Sequence, residues 1–287
     1  MPAVQSARAI KRKIRAVGNI RKITRAMQMV SAAKLKKVQE RLLELRPYSD
    51  KIRELLEGLV AHVRDLDYPL FTPRPQVRSI GLVVMMADKG LCGSYNSNML
   101  RYVQRFREEH PQPAHVVAIG RKAAEGLRKM GLEVRAAHTG LPTEVPFAQI
   151  QAMTRDLREA FLSGEVDEVY LLFTRYVNAL TFRPGHVKFL PVEPAARGGP
   201  APEYEFEPEP ARILDRLLPR YVEVSFHRLL LESMSSEHAA RMNAMRNATD
   251  SATDLISSLT LVYNKARQAG ITKELLDIVG GAEALKG

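Results

Sequence analysis

Two kinds of hydrophobic pattern divide the 287-residue chain. Near the start, Ile10, Ile14, Val17, Ile20, Ile23, Met27 and Val30 fall three or four positions apart, the spacing of one buried stripe on an α-helix. Residues 3–46 hold a single glycine, Gly18, and no proline, which predicts a helical rod of roughly 65 Å. Pro47 is expected to end that run, with a further helical stretch at 51–63 continuing beyond it. The other end of the chain is the counterpart. Pro219 is the last proline, and 220–269 contains neither Gly nor Pro, enough for about 75 Å of helix. There Met242, Met245, Thr249, Ala252, Ile256, Leu259, Tyr263 and Ala266 alternate three and four apart, a 3.5-residue seam that needs a partner helix. Thr249, Ala252 and Ala266 are small for such a seam, so the paired helices should approach closely.

The middle has another rhythm. Residues 78–87 and 115–120 are short apolar runs suited to buried parallel strands, each followed by a helix-like stretch, at 96–108 and 121–130. A helix at 147–162 precedes a strand at 166–174, and 181–190 reads as an antiparallel return. Alternating βαβ units imply a small open α/β domain. The expected division is a helical stretch and extension at 1–65, the α/β domain at 77–191, a Pro- and Gly-bearing linker at 192–210 and a helix at 211–287.

Charge sharpens the first of these regions. The chain carries 43 Lys and Arg against 32 Asp and Glu, a formal +11. Eleven of the bases lie before residue 38, where there is no acid, and the remainder balances. A generally basic coating is thereby excluded. The question becomes what one acid-free helix meets. It could enter DNA like a basic-region helix, although its bases and apolar seam share the same turns and aromatics for RNA stacking are missing before Tyr48. It could lie on an anionic membrane. It could also be a rod whose seam packs on the C-terminal helix while its outer face meets acidic or polar loops. Its composition also suits an organelle transit peptide, but the helical period continues past Val38 to Leu42 and Leu45 with no cleavage-like break.

Catalytic chemistry finds little support. One cysteine, Cys92, excludes an internal disulfide or a multi-cysteine zinc site, and no histidines fall in HxxxH or HExxH pairs. No run approaches the ~18–20 apolar residues needed to span a bilayer. The loop from Asp88 to Ser94 sits after a strand and before a helix, where a doubly wound fold holds phosphate, but matches neither GxGxxG nor GxxxxGK[ST]. Gly90 and Gly93 suit a tight turn better. Cys92 has no motif beside it that names an activating base, so a small buried residue is the simpler reading.

Four groups of residues carry a resemblance. Ile20-Arg-Lys-Ile-Thr-Arg-Ala-Met-Gln-Met-Val-Ser-Ala-Ala-Lys34 resembles the N-terminal helix of the gamma subunit of the rotary F-type ATP synthase. Leu261-Val-Tyr-Asn-Lys-Ala-Arg-Gln-Ala269, Ile271-Thr-Lys-Glu-Leu-Leu-Asp277 and Gly281-Ala-Glu-Ala284 look like that family's C-terminal signature. Ala87-Asp-Lys-Gly-Leu-Cys-Gly-Ser-Tyr-Asn96 is similar to its middle-domain loop, and Tyr204-Glu-Phe-Glu-Pro-Glu-Pro210 to the segment feeding its last helix. The segment 197–202 matches no motif of the family.

The resemblance implies a mixed α+β and α/β fold: a long antiparallel coiled coil of the N- and C-terminal helices with an inserted small Rossmann-like domain as a foot. It implies a non-catalytic rotor stalk carrying torque between a proton-driven c-subunit ring and a hexamer of alpha and beta subunits, with the epsilon subunit beside the foot. No cofactor is expected on this chain, since ATP, ADP and Mg belong to partner subunits; nor is nucleic acid or any membrane contact except through the ring. By resemblance, Lys22, Arg25 and Met27 would face an acidic lever of a beta subunit, while Arg241, Gln268, Thr272 and Glu274 would couple the shaft to the catalytic ring. Tyr204 and Glu207 would face the c-ring and epsilon. Met27, Met29, Met242 and Met245 are soft contacts suited to changing partners or to the seam itself. A peripheral place on the cytoplasmic face of a bacterial inner membrane is implied, and one cysteine leaves no internal thiol switch. The alternative from another class is a coiled-coil nucleic-acid-binding adaptor using the basic helix. A third, an enzyme built on the α/β domain, needs tight nucleotide binding by 77–191.

Overall fold

The computed structural model describes residues 7–62, 68–193, 207 and 209–284. Its elements run α1 (Ala7–His62), β1 (Ile80–Met85), α2 (Tyr95–Glu109), β2 (Ala114–Ile119), α3 (Arg121–Lys129), β3 (Val134–His138), α4 (Phe147–Leu162), β4 (Glu168–Tyr176), β5 (Phe182–Leu190) and α5 (Pro210–Ala284). Two compact units emerge: the chain up to Val30 together with that from Met242, and Ser31–Arg241.

The Ser31–Arg241 unit is built on one sheet of order β3-β2-β1-β4-β5. Four strands are parallel, and β5 returns antiparallel to β4. Along β1 the side chains alternate between two cores. Ile80, Leu82 and Val84 pack with Met99, Val103 and Phe106 of α2 and Ala123 and Leu127 of α3. Val83 and Met85 face Ile150, Leu157 and Phe161 of α4, Leu56 of α1, and Leu214, Leu218, Val222, Phe226 and Leu230 of α5. The four-residue spacing of the α5 set keeps it on one helix face and fixes this stretch to the sheet through apolar area, worth about 1.5–3 kcal/mol for each large side chain buried.

Pro47 departs from expectation. α1 continues through Pro47, and α5 begins at Pro210 and continues through Pro219. An internal proline removes one helical hydrogen bond at about 3 kcal/mol. Pro47 lies on the exposed side of α1, where water reaches the freed carbonyl, while Ser49, Ile52, Leu56 and Leu59 hold the following turns by burial. Pro219 is flanked by the fully buried Leu218 and Val222. The strand β3 is an addition: with two alanines and an arginine in five residues it gives almost no hydrophobic signal.

In the other unit the stretches before Val30 and after Met242 form the coiled coil. All eight positions of the C-terminal seam are buried or half-buried, against exposed neighbours such as Arg246, Asp250, Thr253 and Ser257. The N-terminal seam is displaced. Ile20, Ile23 and Val30 are 53, 59 and 57% exposed, whereas Arg21, Thr24, Gln28 and Ser31, one or more positions on, are half-buried or buried. The burial in α1 follows 10, 14, 17, 21, 24, 28, 31, 35 and 38, a strict 3–4 alternation that fits a supercoil. The apolar residues drift off it after Val17. Across this seam the Thr24 and Thr249 hydroxyls share a hydrogen bond of 2.8 Å, possible only because small residues let the backbones approach. Met29, 67% exposed, is outside the seam.

Candidate functional site

The loop after β1 is where a doubly wound sheet would hold a phosphate, and its geometry shows what it holds instead. One Asp88 carboxylate oxygen accepts the backbone N–H of Arg121 at 2.9 Å, at the start of α3. The other accepts the N–H of Gly140 at 2.9 Å. The N–H that opens α3, a natural anion position, therefore already has its anion. Gly120, with φ of +94°, lies so close to the end of β1 that a Cβ there would stand 2.1 Å from the Met86 carbonyl oxygen. Leu91 and Gly93 also take positive φ and fold the loop back.

The returning loop turns its carbonyls to Arg241 of α5. The guanidinium donates to the Lys89 carbonyl at 3.0 Å and the Gly90 carbonyl at 3.3 Å, and pairs with Glu237 at 2.8 Å. Arg241 and Glu237 side chains are only 10 and 17% exposed. Burial raises the Glu237 carboxyl, opposed by Arg241. Next to them His238 is 6% exposed, and its imidazole falls to about 4 through burial and the neighbouring Arg241 and Lys34.

Cys92 is 2% exposed beside Ala87, Tyr95 and Ala240, and accepts from the Asn96 amide at 3.2 Å. Burial raises its thiol, the opposite of what a nucleophile needs. The Tyr95 hydroxyl, also raised by burial, bonds to the Ser233 hydroxyl at 3.0 Å. Among the described residues no group of three His, Cys, Asp or Glu side chains could hold a metal ion. The same residues include no helix long and apolar enough to cross a membrane.

The residues singled out in sequence fall into separate places. Lys22 and Arg25 are exposed and Met27 half-buried on α1; Gln268, Thr272 and Glu274 are exposed on α5, with the Thr272 hydroxyl donating to the Gln268 carbonyl at 3.0 Å. Arg241 differs from its expected outward role: its guanidinium is engaged by the loop and by Glu237. Glu207 is exposed, and Tyr204 and 197–202 lie outside the described residues. Sequence reasoning missed Glu237, and it flagged the Asp88 loop without the bracing role of Asp88 itself. Their signal was an acid one turn before Arg241, and an acid at a strand end followed by glycines.

Paired terminal helices, and an α/β domain whose crevice is packed by its own helix, define a coiled-coil-plus-α/β class of subunit. Residues 6–285 match the ATP synthase family. The chain belongs to that family, among the ATP synthase gamma chains: it is 43% identical to the ATP synthase gamma chain of Heliobacterium modesticaldum over 97% of this chain and 98% of that one. To that of Symbiobacterium thermophilum it is 41% identical over 99% of each. Among solved structures, it is similar to a chain of the central stalk/c-ring structure of the Tetrahymena thermophila mitochondrial ATP synthase, at 26% identity and a TM-score of 0.61, over 79% of this chain and 99% of that one. The Euglena gracilis mitochondrial ATP synthase shares the fold, with a TM-score of 0.69 at 20% identity over 97 and 94%. The nucleic-acid adaptor reading finds no support in these relatives.

Proposed function

We propose that the chain is the central rotor stalk of an F-type ATP synthase, passing torque between a c-subunit ring and an alpha–beta hexamer during ATP synthesis or hydrolysis. The observation that carries this reading is the far end of α5. Ile271, Leu275, Leu276, Ile278 and Val279 are 48–68% exposed within nine residues, an apolar surface that calls for a partner sleeve. Ile20, Ile23 and Val30 add a second exposed apolar strip, on the helix that also presents Lys22 and Arg25. A bearing that changes partner at each step gains from contacts that are apolar and non-directional, because fixed ion pairs would hold one angle.

In this reading Lys22, Arg25 and Met27 meet an acidic lever of a beta subunit, and Gln268, Thr272 and Glu274 engage the ring of catalytic subunits. Tyr204 and Glu207 belong to the end that faces the c-ring and epsilon. The chain has no active site and binds no cofactor; ATP, ADP and Mg are handled by its partners. It is a peripheral subunit on the cytoplasmic face of a bacterial inner membrane, reaching the lipid only through the ring. The isolated chain should hydrolyse no ATP, and should restore proton-driven synthesis when combined with alpha, beta, epsilon and the membrane sector. Failure to co-purify with an alpha–beta assembly overturns the proposal.

A further inference from the structure

In a doubly wound sheet the crevice outside the carboxyl ends of the strands, where the order reverses, is the usual ligand site. Here that reversal falls between β1 and β4. α5 closes that crevice, its Ser236 hydroxyl donating to the Thr174 carbonyl of β4 at 2.8 Å and Arg241 reaching the loop after β1. Leu230, Ser233, Met234 and Glu237 meet Met85, Met86, Asp88, Tyr95 and Gly120, leaving a cavity of about 40 Å³, room for about one water. The edge of this contact is polar and directional. Arg241 holds two loop carbonyls on one side and Glu237 on the other, and Tyr95 reaches Ser233 deeper in.

Apolar contact resists separation but is indifferent to direction, so a helix packed only by leucines and phenylalanines can creep about its own axis under load. A guanidinium fork cannot follow such a rotation: its donors are planar, and hydrogen bonds weaken steeply once misaligned. Glu237, one turn before Arg241, restrains the guanidinium so that it is presented to the loop in one orientation. The loop is itself braced, since Asp88 ties it to α3 and to Gly140.

We propose that Arg241 and Glu237 are positioning residues forming a rotational latch, which locks α5 to the β1–α2 loop so that torque on the sheet domain turns the helix without slip. This rests on the rotor reading above. It gives Arg241 a place in energy coupling through this chain's own loop, with no need for a contact to the catalytic ring.

The test uses the complete enzyme in sealed vesicles, with ATP hydrolysis and ATP-driven proton uptake measured together. Arg241→Ala and Glu237→Gln should lower the protons pumped per ATP by about twofold or more, because removing one partner of a buried pair frees the local structure to open. Arg241→Lys, which keeps the charge but not the fork, should fall between Arg241→Ala and the wild type. A mere packing role would give the same losses, so a staple distinguishes the two. Ala240 packs in the same small cluster as the native Cys92, and Ala240→Cys offers a second thiol there. Oxidised with copper phenanthroline, with thiol loss confirmed by labelling, the disulfide should restore coupling in the Arg241→Ala background, and a reductant should abolish the rescue. Unchanged coupling in Arg241→Ala, or lost coupling that the closed staple leaves uncorrected, overturns the latch. Failure of the wild-type chain to join the complex would instead overturn the rotor reading.

Discussion

The sheet domain keeps Phe161, Phe173 and Phe226 at 0–1% exposure, whereas the paired terminal stretches leave Ile20, Ile23, Leu261 and Leu276 more than half exposed. One chain thus treats large apolar residues in two opposite ways. In Ser31–Arg241 they fill a core and fix a single arrangement. In the coil the seam gives central places to Thr24, Thr249 and Ala252 beside Ile10 and Met245, while Ile20, Ile23 and Leu261 are turned outward. The lesson is that hydrophobicity alone does not mark a core. What matters is whether the period of the apolar positions agrees with the period of the contact, and in α1 the two diverge after Val17.

Four substitutions or conditions test this contrast. Gly120→Ala should damage the sheet domain most. Its Cβ would meet the Met86 carbonyl oxygen at 2.1 Å at a positive φ, and we expect a loss of more than about 4 kcal/mol in urea unfolding followed by circular dichroism. Near-normal stability would mean that the β1 end can shift aside. Phe226→Ala should cost about 3–5 kcal/mol, while Leu276→Ala changes the free chain by no more than about 0.5. Equal losses from these two would erase the distinction between core and outward residues.

Acid supplies the third test. The His238 imidazole titrates at about 4 in the folded chain, against ~6.5 when unfolded. Between those values the unfolded chain binds more protons, so stability rises with pH. The contribution is complete above ~6.5 and lost as pH falls toward the folded value, roughly 3 kcal/mol in all. Glu237, raised by burial, pulls the other way, weakening the fold as pH rises above its unfolded value. His238→Leu should flatten the acid limb of a stability-against-pH curve; an unaltered limb would assign acid sensitivity elsewhere, for example to His138 or His227, which burial also lowers.

The smallest effect belongs to the seam. Thr24→Val should cost about 1 kcal/mol by leaving the Thr249 hydroxyl without its partner across the coil, and adding Thr249→Val should recover most of that loss. Additive losses in thermal unfolding would show that the two hydroxyls act independently.

Much of the fold was legible because its signals are local. The α4 boundaries at 147 and 162 match the helix expected from the sequence, and the eight-residue C-terminal seam was readable from Met242 to Ala266 because the apolar and contact periods coincide there. Pro47 was misread as a stop, since a sequence does not reveal which side of a helix faces water. Ile20, Ile23 and Val30 were misassigned for a related reason: their spacing is helical, but their phase is set by the partner helix. Arg241 was noticed for its resemblance to a coupling residue. Its acceptors, Lys89 and Gly90, lie about 150 residues earlier and are backbone atoms, which leave no trace in a pattern of side chains.

The packing of α5 against the carboxyl edge of the sheet has a consequence for any small molecule offered to this domain. A free nucleotide would compete with an occupant on the same polypeptide, whose local concentration is millimolar or more and does not fall on dilution. The sheet has the architecture of a binding domain with its crevice filled from within, so that contacts a ligand would make serve as attachment.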